Sequence, residues 1–209
     1  MRIVAGTTNP AKIAALRALL APVAEVIAPT ISDPPIVNES GSTIAEVAST
    51  KAISWSNWLA ANNVLLPVIV TDGGLTIPAL PGWDPTRTRR FAGEGKTPLQ
   101  LALALLDRAV GLTGDDRRIG WTEVAVIVLP DGQSGVYSAV SPPGVLATTV
   151  DAEILTGSDG FWVPTIWLCP EYGMKRLIDL TEEERASRTD HWDRLGAELH
   201  RDLKTFLCE

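Results

Sequence analysis

Hydrophobic and polar positions recur along this chain with two different periods, and the changes of period divide it into strands and helices. Short apolar or β-branched runs predict strands, whereas apolar residues spaced three and four positions apart predict helices. The predicted strands are 2–5, 23–27, 67–71, 121–129, 134–140 and 161–168, and the predicted helices are 11–20, 43–61, 98–110 and 181–206. Strands that alternate with helices indicate an α/β fold, and the hairpin predicted at 121–140 makes the sheet mixed.

Two segments without a clear period are predicted to be loops. Residues 28–42 are rich in proline and contain a Gly-Ser pair, and residues 72–96 are rich in Gly, Pro and Arg. The second segment follows the run PVIVT at 67–71, which is typical of a buried central strand. Irregular segments next to a rigid sheet often carry function, so residues 72–96 are predicted to be a functional loop.

The size and charge of the chain narrow the classes of function that it can have. Its 209 residues suit a single domain spanning 1–209, or one with two closely packed lobes. A net charge of −7 argues against broad binding to a nucleic-acid backbone, although a small phosphate ligand needs only a local cluster of donors. An acidic protein that acts on phosphates often recruits a divalent metal.

The sequence also predicts where the chain resides. No apolar run approaches eighteen residues, so we expect no membrane span. The first residues, MRIVAGTTNP, lead directly into a strand and a turn and lack the regions of a signal peptide. Cys169 and Cys208 show neither metal-ligand spacing nor a redox-pair signature, which favours reduced thiols in a cytoplasmic protein.

The first candidate site is the turn that contains Thr7, Thr8, Asn9 and Lys12, between the first strand and the first helix. Free backbone N–H groups at the start of a helix attract anions, and these side chains add hydroxyl, amide and ammonium donors. A simpler interpretation is an N-cap, because Thr and Asn are common immediately before a helix. The turn is therefore either a phosphate-binding site or a helix cap.

Two acidic residues form the next candidates. Glu46 lies at the start of the predicted helix 43–61, with Lys51 about one and a half turns further along. It is either a metal ligand or, with Thr43, part of a capping box. Asp72, followed by Gly73 and Gly74, comes after the strand PVIVT. It is either a ligand at the carboxyl end of a buried strand or part of a simple Asp-Gly turn.

Basic and aromatic side chains supply the remaining candidates. Three arginines lie at 87, 89 and 90, where they could bind a triphosphate or form a solvated surface. Aromatic residues such as Phe161 and Trp162 could stack on a base, although most of the seven tryptophans are expected in the core or at its rim. Arg185, Asp190 and His191 could read the edge of that base or lie on a helix surface.

Taken in order, these segments resemble the inosine triphosphatase-like family, which hydrolyses nonstandard purine nucleoside triphosphates. The stretch 7–12 matches the family pattern T-x-N-x-x-K, and the stretch from Glu39 to residue 52 matches its second block, with Val47 in place of an Asn. Asp72-Gly73-Gly74-Leu75 matches D-S-G-L, with Gly73 in place of Ser. Gly82 and the segment 90–93 match the end of the following loop, so the resemblance covers nearly the whole chain.

The resemblance implies a fold, an assembly and a reaction. The fold is a mixed twisted sheet flanked by helices, in two lobes with a central substrate cleft, and members are commonly homodimers. In the reaction, water attacks the α-phosphate of a nucleoside triphosphate and releases pyrophosphate. Glu46 and Asp72 hold Mg²⁺, with Mn²⁺ as an alternative, and Asp72 also activates the water. The phosphate-binding residues implied are Thr7, Asn9, Lys12 and Lys51, with Arg90 as a helper, and Lys12 is also part of the catalytic set. Thr8, Gly73 and Gly74 are further expected substrate-binding residues.

The base-binding half of the chain departs from the family. The family's F-G-Y-D-P is replaced by Phe161-Trp162-Val163-Pro164-Thr165, so a glycine has become an indole and an acid is lost. In a gapless alignment its K-x-x-x-S-H-R starts at Arg185, and its His-Arg pair becomes Asp190-His191. A shift by one residue would instead match His191 to the family's His. An ionised carboxylate only accepts hydrogen bonds, so Asp190 favours a base that presents N–H donors. We therefore predict a base preference shifted away from inosine and xanthosine.

Two further hypotheses remain open from the sequence. The changed base-binding segment and Gly73 suit a nucleotide-binding protein that has lost catalysis, whereas the retained acids and lysines argue against it. A hydrolase of another nucleotide-like phosphate, such as a sugar nucleotide, has the same phosphate-binding requirements. A nucleic-acid partner is the least favoured, because the chain is acidic and has no extended basic stripe.

Overall fold

The computed structural model describes residues 1–29, 33–37, 40–155 and 161–206, and it leaves out the side chains of residues 154 and 204–206. Glu39 of the second family block and Cys208 lie outside the described residues. The described strands are β1 (Arg2–Ala5), β2 (Glu25–Ile27), β3 (Val68–Thr76), β4 (Arg118–Val128), β5 (Ser134–Val140), β6 (Gly144–Leu146), β7 (Trp167–Cys169) and β8 (Lys175–Arg176). The described helices are α1 (Pro10–Leu20), α2 (Ile44–Ala61), α3 (Pro98–Arg108), α4 (Ala152–Leu155), α5 (Glu182–Ser187) and α6 (His191–Phe206). None of these helices has the length and apolar character needed to cross a bilayer.

The chain forms two compact units, each made of separate stretches of sequence. The first unit, called here the N-terminal unit, comprises Met1–Gly73, Thr122–Val140 and Asp190–Glu209. The second, called the insert unit, comprises Gly74–Trp121 and Ser141–Thr189. Both units draw on β3 and β4, because each of these strands has residues in both.

The sheet of the N-terminal unit is mixed, as the sequence predicts. Strand β1 pairs with β2 and β3 in parallel, and β4 pairs with β5 as an antiparallel hairpin. The helices cover both faces: α1 and α6 pack on one side, against apolar residues that include Ile69 and Ala125. Helix α2 packs on the other side, against Val70 and Val124. Neighbouring residues of a strand face opposite sides of a sheet. These two clusters therefore also indicate which side of the sheet the adjacent polar residues of β3 and β4 face.

The insert unit is built around the beginning of β4 and three short antiparallel strands. Strand β6 pairs with β4 and with β7, and β7 pairs with β8. A third apolar cluster, including Leu105 of α3 and Trp167 of β7, forms its core. Gly144 lies so close to the Trp167 indole that a Cβ at this position would overlap the ring. A glycine is needed there because of close packing.

A buried arginine ties together the loops of the insert unit. Arg117 donates from Nε to the carbonyl of Leu146 at 2.7 Å and from Nη1 to the carbonyls of Ala109 and Leu112, each at 3.1 Å. Its Nη2 donates to the carbonyl of Ala147. Burial lowers the pKa of this guanidinium from its ordinary value. The side chain thus satisfies four main-chain carbonyls from two separate stretches of chain.

The C-terminal helix predicted at 181–206 is in fact two helices, so this prediction was wrong. Thr181 and Glu184 form a capping box that starts α5, and Arg188 ends it with extended backbone. Asp190 then starts α6, because its Oδ1 accepts hydrogen bonds from the backbone N–H groups of Trp192 and Asp193. Local capping by side chains divides a segment that hydrophobic periodicity alone would join.

The strand predicted at 161–168 is also wrong over most of its length. Residues Val163–Thr165 form a 3₁₀ turn, and only Trp167–Cys169 is a strand. Pro164 lacks an N–H group for sheet pairing, and the hydroxyl of Thr165 donates to the carbonyl of Trp162 across the turn.

Strands also occupy two places that carry turn signals, and the first of these lies in the loop predicted at 72–96. Strand β3 continues through Asp72, Gly73 and Gly74 as far as Thr76. Its end is held by hydrogen bonds within the insert unit, from the Leu75 N–H to Thr88 Oγ1 and from Thr76 Oγ1 to a main-chain carbonyl. Strand β6 lies directly after the Pro-Pro pair at 142–143. Pairing with neighbouring strands outweighs the local turn signals in both places.

Candidate active site

The turn between β1 and α1 is organised as a helix cap. Asn9 has extended backbone, and its Oδ1 accepts from the N–H groups of Ala11 and Lys12 at 2.9 and 3.4 Å. The Asn9 N–H in turn donates to Thr7 Oγ1 at 3.1 Å, and Thr8 is exposed. The capping interpretation is therefore confirmed for Asn9. The cap also places the start of α1, the end that attracts anions, beside exposed polar side chains.

A glycine at the end of β1 allows this turn to lie close to the sheet. A Cβ on Gly6 would collide with a methyl group of Val70 and approach Trp55 Cγ to 3.0 Å. The Gly6 N–H still donates to the carbonyl of Ile69 at 2.7 Å, so the end of β1 stays paired with β3. Close packing of the backbone here brings α1 within reach of the residues at the end of the buried part of β3.

Lys12 points from the first turn of α1 back to the sheet. Its Nζ donates to the main-chain carbonyl of Thr71 at 3.0 Å and lies 3.5 Å from Oε1 of Glu123. The Lys12 side chain is 30% exposed, whereas that of Glu123 is 3% exposed. The Lys12 ammonium therefore lies at the boundary between the interior of the sheet and its accessible surface.

Asp72 and Lys51 meet on the α2 side of the sheet. Asp72 follows Val70 on the same face of β3, and Lys51 Nζ lies 3.2 Å from Asp72 Oδ1. Burial raises the pKa of the Asp72 carboxyl, and the positive charges of Lys51 and Lys12 partly oppose that rise. The charge of Glu123 raises the pKa of Asp72 further. Two lysines and two acids of the N-terminal unit therefore share one electrostatic environment.

Glu46 has the cap-like geometry that the sequence offered as an alternative. Thr43 accepts from the Glu46 N–H at 3.1 Å, and Glu46 Oε2 accepts from the N–H and hydroxyl of Ser42 at 2.7 and 2.6 Å. These hydrogen bonds from Ser42 lower the pKa of the exposed Glu46 carboxyl. The Glu46 carboxylate accepts from Ser42, one residue before the N-cap, and not from the N-cap N–H. These hydrogen bonds stabilise the charged form of Glu46 but do not close the usual capping box.

The acids of this unit suit a hard divalent cation. Carboxylate oxygens are the ligands that Mg²⁺ and Mn²⁺ prefer, and Glu46 is held in its ionised form. Among the described residues, no three His, Cys, Asp or Glu side chains lie close enough together to form a metal site. Mg²⁺ is commonly held by one or two carboxylates together with substrate phosphates, so it does not require a cluster of three protein ligands.

The insert unit holds the predicted aromatic and arginine candidates in different environments. Phe161 is 48% exposed and meets Trp121 edge to face, with ring centroids 5.3 Å apart. Trp162 is only 2% exposed and packs 6.0 Å from the Phe91 ring, within the core. Phe161 remains accessible to a ligand, whereas the described position of Trp162 is that of a core residue.

The two arginines proposed for substrate binding lie in different segments of the insert unit. Arg185 is committed to its own loop, because its Nε donates to the carbonyl of Leu180 at 2.9 Å and its Nη2 to that of Ile178. Arg90 is half-buried, in the turn that follows the 3₁₀ segment Pro85–Arg87.

Asp190 and His191 belong to the N-terminal unit, where Asp190 caps α6 as described above. His191 is half-buried as the first residue of that helix, and its ring lies 5.6 Å from the ring of Trp192. One carboxylate oxygen of Asp190 is therefore engaged with the helix N-terminus.

Comparison with known proteins identifies the family. The model of the Ham1 family matches residues 3–194 of the chain. The chain belongs to the Ham1 family. The predicted resemblance to inosine triphosphatase-like enzymes is therefore confirmed.

Relatives and solved structures agree with membership of the Ham1 family. A dITP/XTP pyrophosphatase of Thermus thermophilus is 30% identical over 188 residues, covering 89% of this chain and 84% of the relative. That of Geobacillus kaustophilus is also 30% identical, covering 88% and 85%. The Ham1 protein of Staphylococcus aureus superposes with a TM-score of 0.71 at 26% identity, over 99% of this chain and 98% of that one. A HAM1 protein from Coxiella burnetii gives a TM-score of 0.78 at 22% identity, over 98% of both chains, and confirms the mixed α/β fold.

Glu123 of this Ham1 family chain was not among the residues predicted from the sequence. The residue is a lone acid in the apolar run WTEVAVIVL, and it is 2% exposed in the structure. That isolated charge was the available signal, because a carboxylate on a buried strand needs a partner. The partner, Lys12, lies 111 positions earlier in the sequence, so no local spacing could reveal it.

Proposed function

We propose that this chain hydrolyses a purine (deoxy)nucleoside triphosphate to the nucleoside monophosphate and pyrophosphate, with Mg²⁺. The observation that carries the proposal is the cluster of Lys12, Lys51 and Asp72 beside the N-terminus of α1. It combines cations for phosphate oxygens with a half-buried carboxylate whose pKa is raised by desolvation. This combination suits an in-line attack of water on a phosphoric anhydride.

The class of enzyme, a nucleoside triphosphate pyrophosphatase, is confirmed by the family and by the names of the relatives. The residue roles and the choice of substrate are our proposals.

Phosphate binding falls to the first turn of α1 and to the two lysines. Thr7 and Thr8 offer hydroxyl groups next to the helix start, and Asn9 holds the turn in place. The Lys12 and Lys51 ammoniums neutralise phosphate charge, and each carries three donors. Gly73, which is half-buried, leaves the backbone beside Asp72 without a side chain, so a phosphate can approach it closely, whereas Gly74 is buried.

Glu46 and Asp72 are the residues that would hold Mg²⁺ or Mn²⁺. When bound, the metal supplies positive charge that stabilises the charge developing on the phosphate oxygens. Asp72 orients the attacking water and accepts its proton. The water oxygen forms a bond to the α-phosphorus, the bond from that phosphorus to the bridging oxygen breaks, and pyrophosphate leaves with the electron pair. A carboxyl whose pKa is raised by burial is a better proton acceptor than an ordinary aspartate.

We further propose that the base preference differs from that of inosine- and xanthosine-directed enzymes. Asp190 replaces a donor in the gapless alignment, and its second oxygen, Oδ2, would accept a hydrogen bond from an N–H group of the base. Leaving that carboxylate opposite a carbonyl would cost roughly 1–3 kcal/mol. Phe161, which is exposed, offers a stacking surface. We therefore expect a preference for bases that carry an amino group.

The test is pyrophosphate release across a panel of standard, deaminated and amino-modified nucleoside triphosphates, with Mg²⁺, Mn²⁺ or EDTA. We expect release that requires the metal and is fastest with a base bearing an amino group. If inosine triphosphate is clearly the best substrate, the shifted preference is wrong while the activity stands. If no nucleotide is hydrolysed but one binds, the chain is a nucleotide-binding protein without catalysis.

Homodimer formation and a cytoplasmic location remain predictions from the resemblance and from the sequence. Light scattering on the purified chain tests the first, and a mass of twice 22.4 kDa is the expected result.

A further inference from the structure

Packing alone does not explain why residue 123 is an acid. Its neighbours on the same face of β4 are Ala125 and Ile127, which lie in the apolar core beneath α1 and α6. A buried carboxylate in such a place is expensive, and buried ion pairs are often replaceable by apolar residues without loss of stability. A contribution to stability therefore gives little reason for an acid at this position.

The contacts of Glu123 point to a role for Lys12. The Lys12 ammonium has three donors. One is directed to the Thr71 carbonyl at 3.0 Å, and Glu123 Oε1 lies 3.5 Å away on the same interior side. The carboxylate and the carbonyl together draw a flexible side chain to one place and leave a donor for the accessible side. Without the Glu123 carboxylate, Lys12 would keep its hydrogen bond to the Thr71 carbonyl and the attraction of the Asp72 charge, but it would lose the ion pair on the interior side.

We propose that Glu123 is a positioning residue, which acts through Lys12 to hold its ammonium where a phosphate of the substrate binds. The inference rests on the proposed function, because it assigns Lys12 to the phosphates. Glu123 itself does not touch the substrate. Its removal should therefore weaken phosphate binding only while Lys12 is present.

The central experiment is a double-mutant cycle with Glu123→Gln, Lys12→Ala and the combined variant. Glutamine keeps the size of the side chain and removes its charge. We expect Glu123→Gln to raise KM about tenfold, with kcat changed less than about threefold, because the lost interaction binds substrate and transition state alike. In the Lys12→Ala background the same change should add no further rise in KM. Wild-type kinetics for Glu123→Gln, or an equal effect in both backgrounds, would overturn the inference.

Glu171→Gln is the matched control. Glu171 pairs with the buried Arg188 at 2.9 Å in the insert unit, so the change removes a more exposed acid from an ion pair with no proposed part in phosphate binding. We expect a wild-type KM for this variant. A rise equal to that of Glu123→Gln would mean that any lost ion pair has the same effect, and it would overturn the specific role of Glu123.

Binding of inorganic tripolyphosphate with Mg²⁺, measured by calorimetry, separates this inference from the proposed function. A wild-type chain that binds tripolyphosphate about tenfold more tightly than Glu123→Gln supports the inference even if no nucleotide is hydrolysed. A wild-type chain that neither binds it nor releases pyrophosphate overturns both proposals. If Glu123→Gln does not fold, Glu123→Asp keeps the charge but moves it back from Lys12. Tripolyphosphate binding equal to the wild type in that variant contradicts the inference.

Discussion

The cations enclosed by the two units of this chain have different kinds of partner. In the insert unit, all four hydrogen bonds of Arg117 go to main-chain carbonyls. In the N-terminal unit, Lys12 and Lys51 meet the carboxylates of Glu123 and Asp72. In the insert unit, a rigid guanidinium donates to the backbone. In the N-terminal unit, ammonium groups lie beside acids and near an accessible helix end.

The positive charge of Arg117 maintains the fold, whereas those of Lys12 and Lys51 can bind a ligand. A guanidinium is planar and always charged, so it can satisfy several carbonyls in fixed directions. An ammonium on a flexible stem can hold one contact in the interior and turn another donor to a phosphate. Removing charge from the N-terminal unit should therefore change catalysis, and removing it from the insert unit should change stability.

The largest expected effect is that of Asp72→Asn on catalysis. The variant keeps the shape of the side chain but can neither accept a proton nor hold the metal as a charged ligand. We expect pyrophosphate release to fall roughly 10²- to 10⁴-fold, with thermal unfolding close to that of the wild type. Activity near the wild-type level would contradict the assigned role. A large fall in Tm would show instead that this charge also maintains the fold.

Arg117→Met tests the structural role of the buried cation in the insert unit. Methionine fills part of the space but leaves the carbonyls of Ala109, Leu112, Leu146 and Ala147 without their donor. We expect a loss of about 3 kcal/mol in the free energy of unfolding, which corresponds to a fall in Tm of roughly 6 to 12 °C. Turnover per folded molecule well below the unfolding transition should stay at the wild-type level. Unchanged stability would remove the structural role from Arg117.

Asp190 tests whether one residue of the N-terminal unit serves the fold and the ligand together. Asp190→Ala removes the cap of α6 and should cost about 1 kcal/mol, whereas Asp190→Asn keeps a capping oxygen and should cost less. Asp190→His should move preference towards inosine or xanthosine triphosphate. If only stability changes across these variants and the substrate panel stays the same, Asp190 is a helix cap alone.

The smallest effect concerns the Cys169 thiol of the insert unit. Burial raises its pKa to about 11, so at pH 8 the thiol is protonated and therefore a poor nucleophile. We expect mass spectrometry to find the Cys169 peptide unlabelled by iodoacetamide in the native chain and fully labelled in guanidinium chloride. Rapid native labelling would show that the interior of this unit opens readily.

Elements with strong local signals were predictable from the sequence. The order of β1, turn and α1 followed from an apolar run, Asn9 and Pro10, because a strand end, a cap and a proline are all encoded by neighbouring residues. Helix α2 also appeared within one residue of its predicted limits. The nearness of Lys51 and Asp72 came from the family resemblance, since 21 positions separate them and no periodicity connects them.

Features that depend on distant parts of the chain were not predictable. The Asp-Gly pair at 72–73 is a turn signal by itself, yet it lies inside β3, which has β1 and β4 as neighbours. Glu123 looked like an interruption of an apolar strand until α1 placed Lys12 against it. In both cases, tertiary contacts outweighed a local preference, and a single sequence does not show those contacts.

The place of α6 in the sequence has a consequence for how the chain is made. Its Leu195, Leu199 and Leu203 complete the apolar cluster that also holds Ile3 and Leu16, near the other end of the sequence. During synthesis, the first strand and helix must therefore wait for nearly two hundred more residues before their core is closed. The turn at residues 7–12 therefore adjoins a core that closes only after α6 has been synthesised.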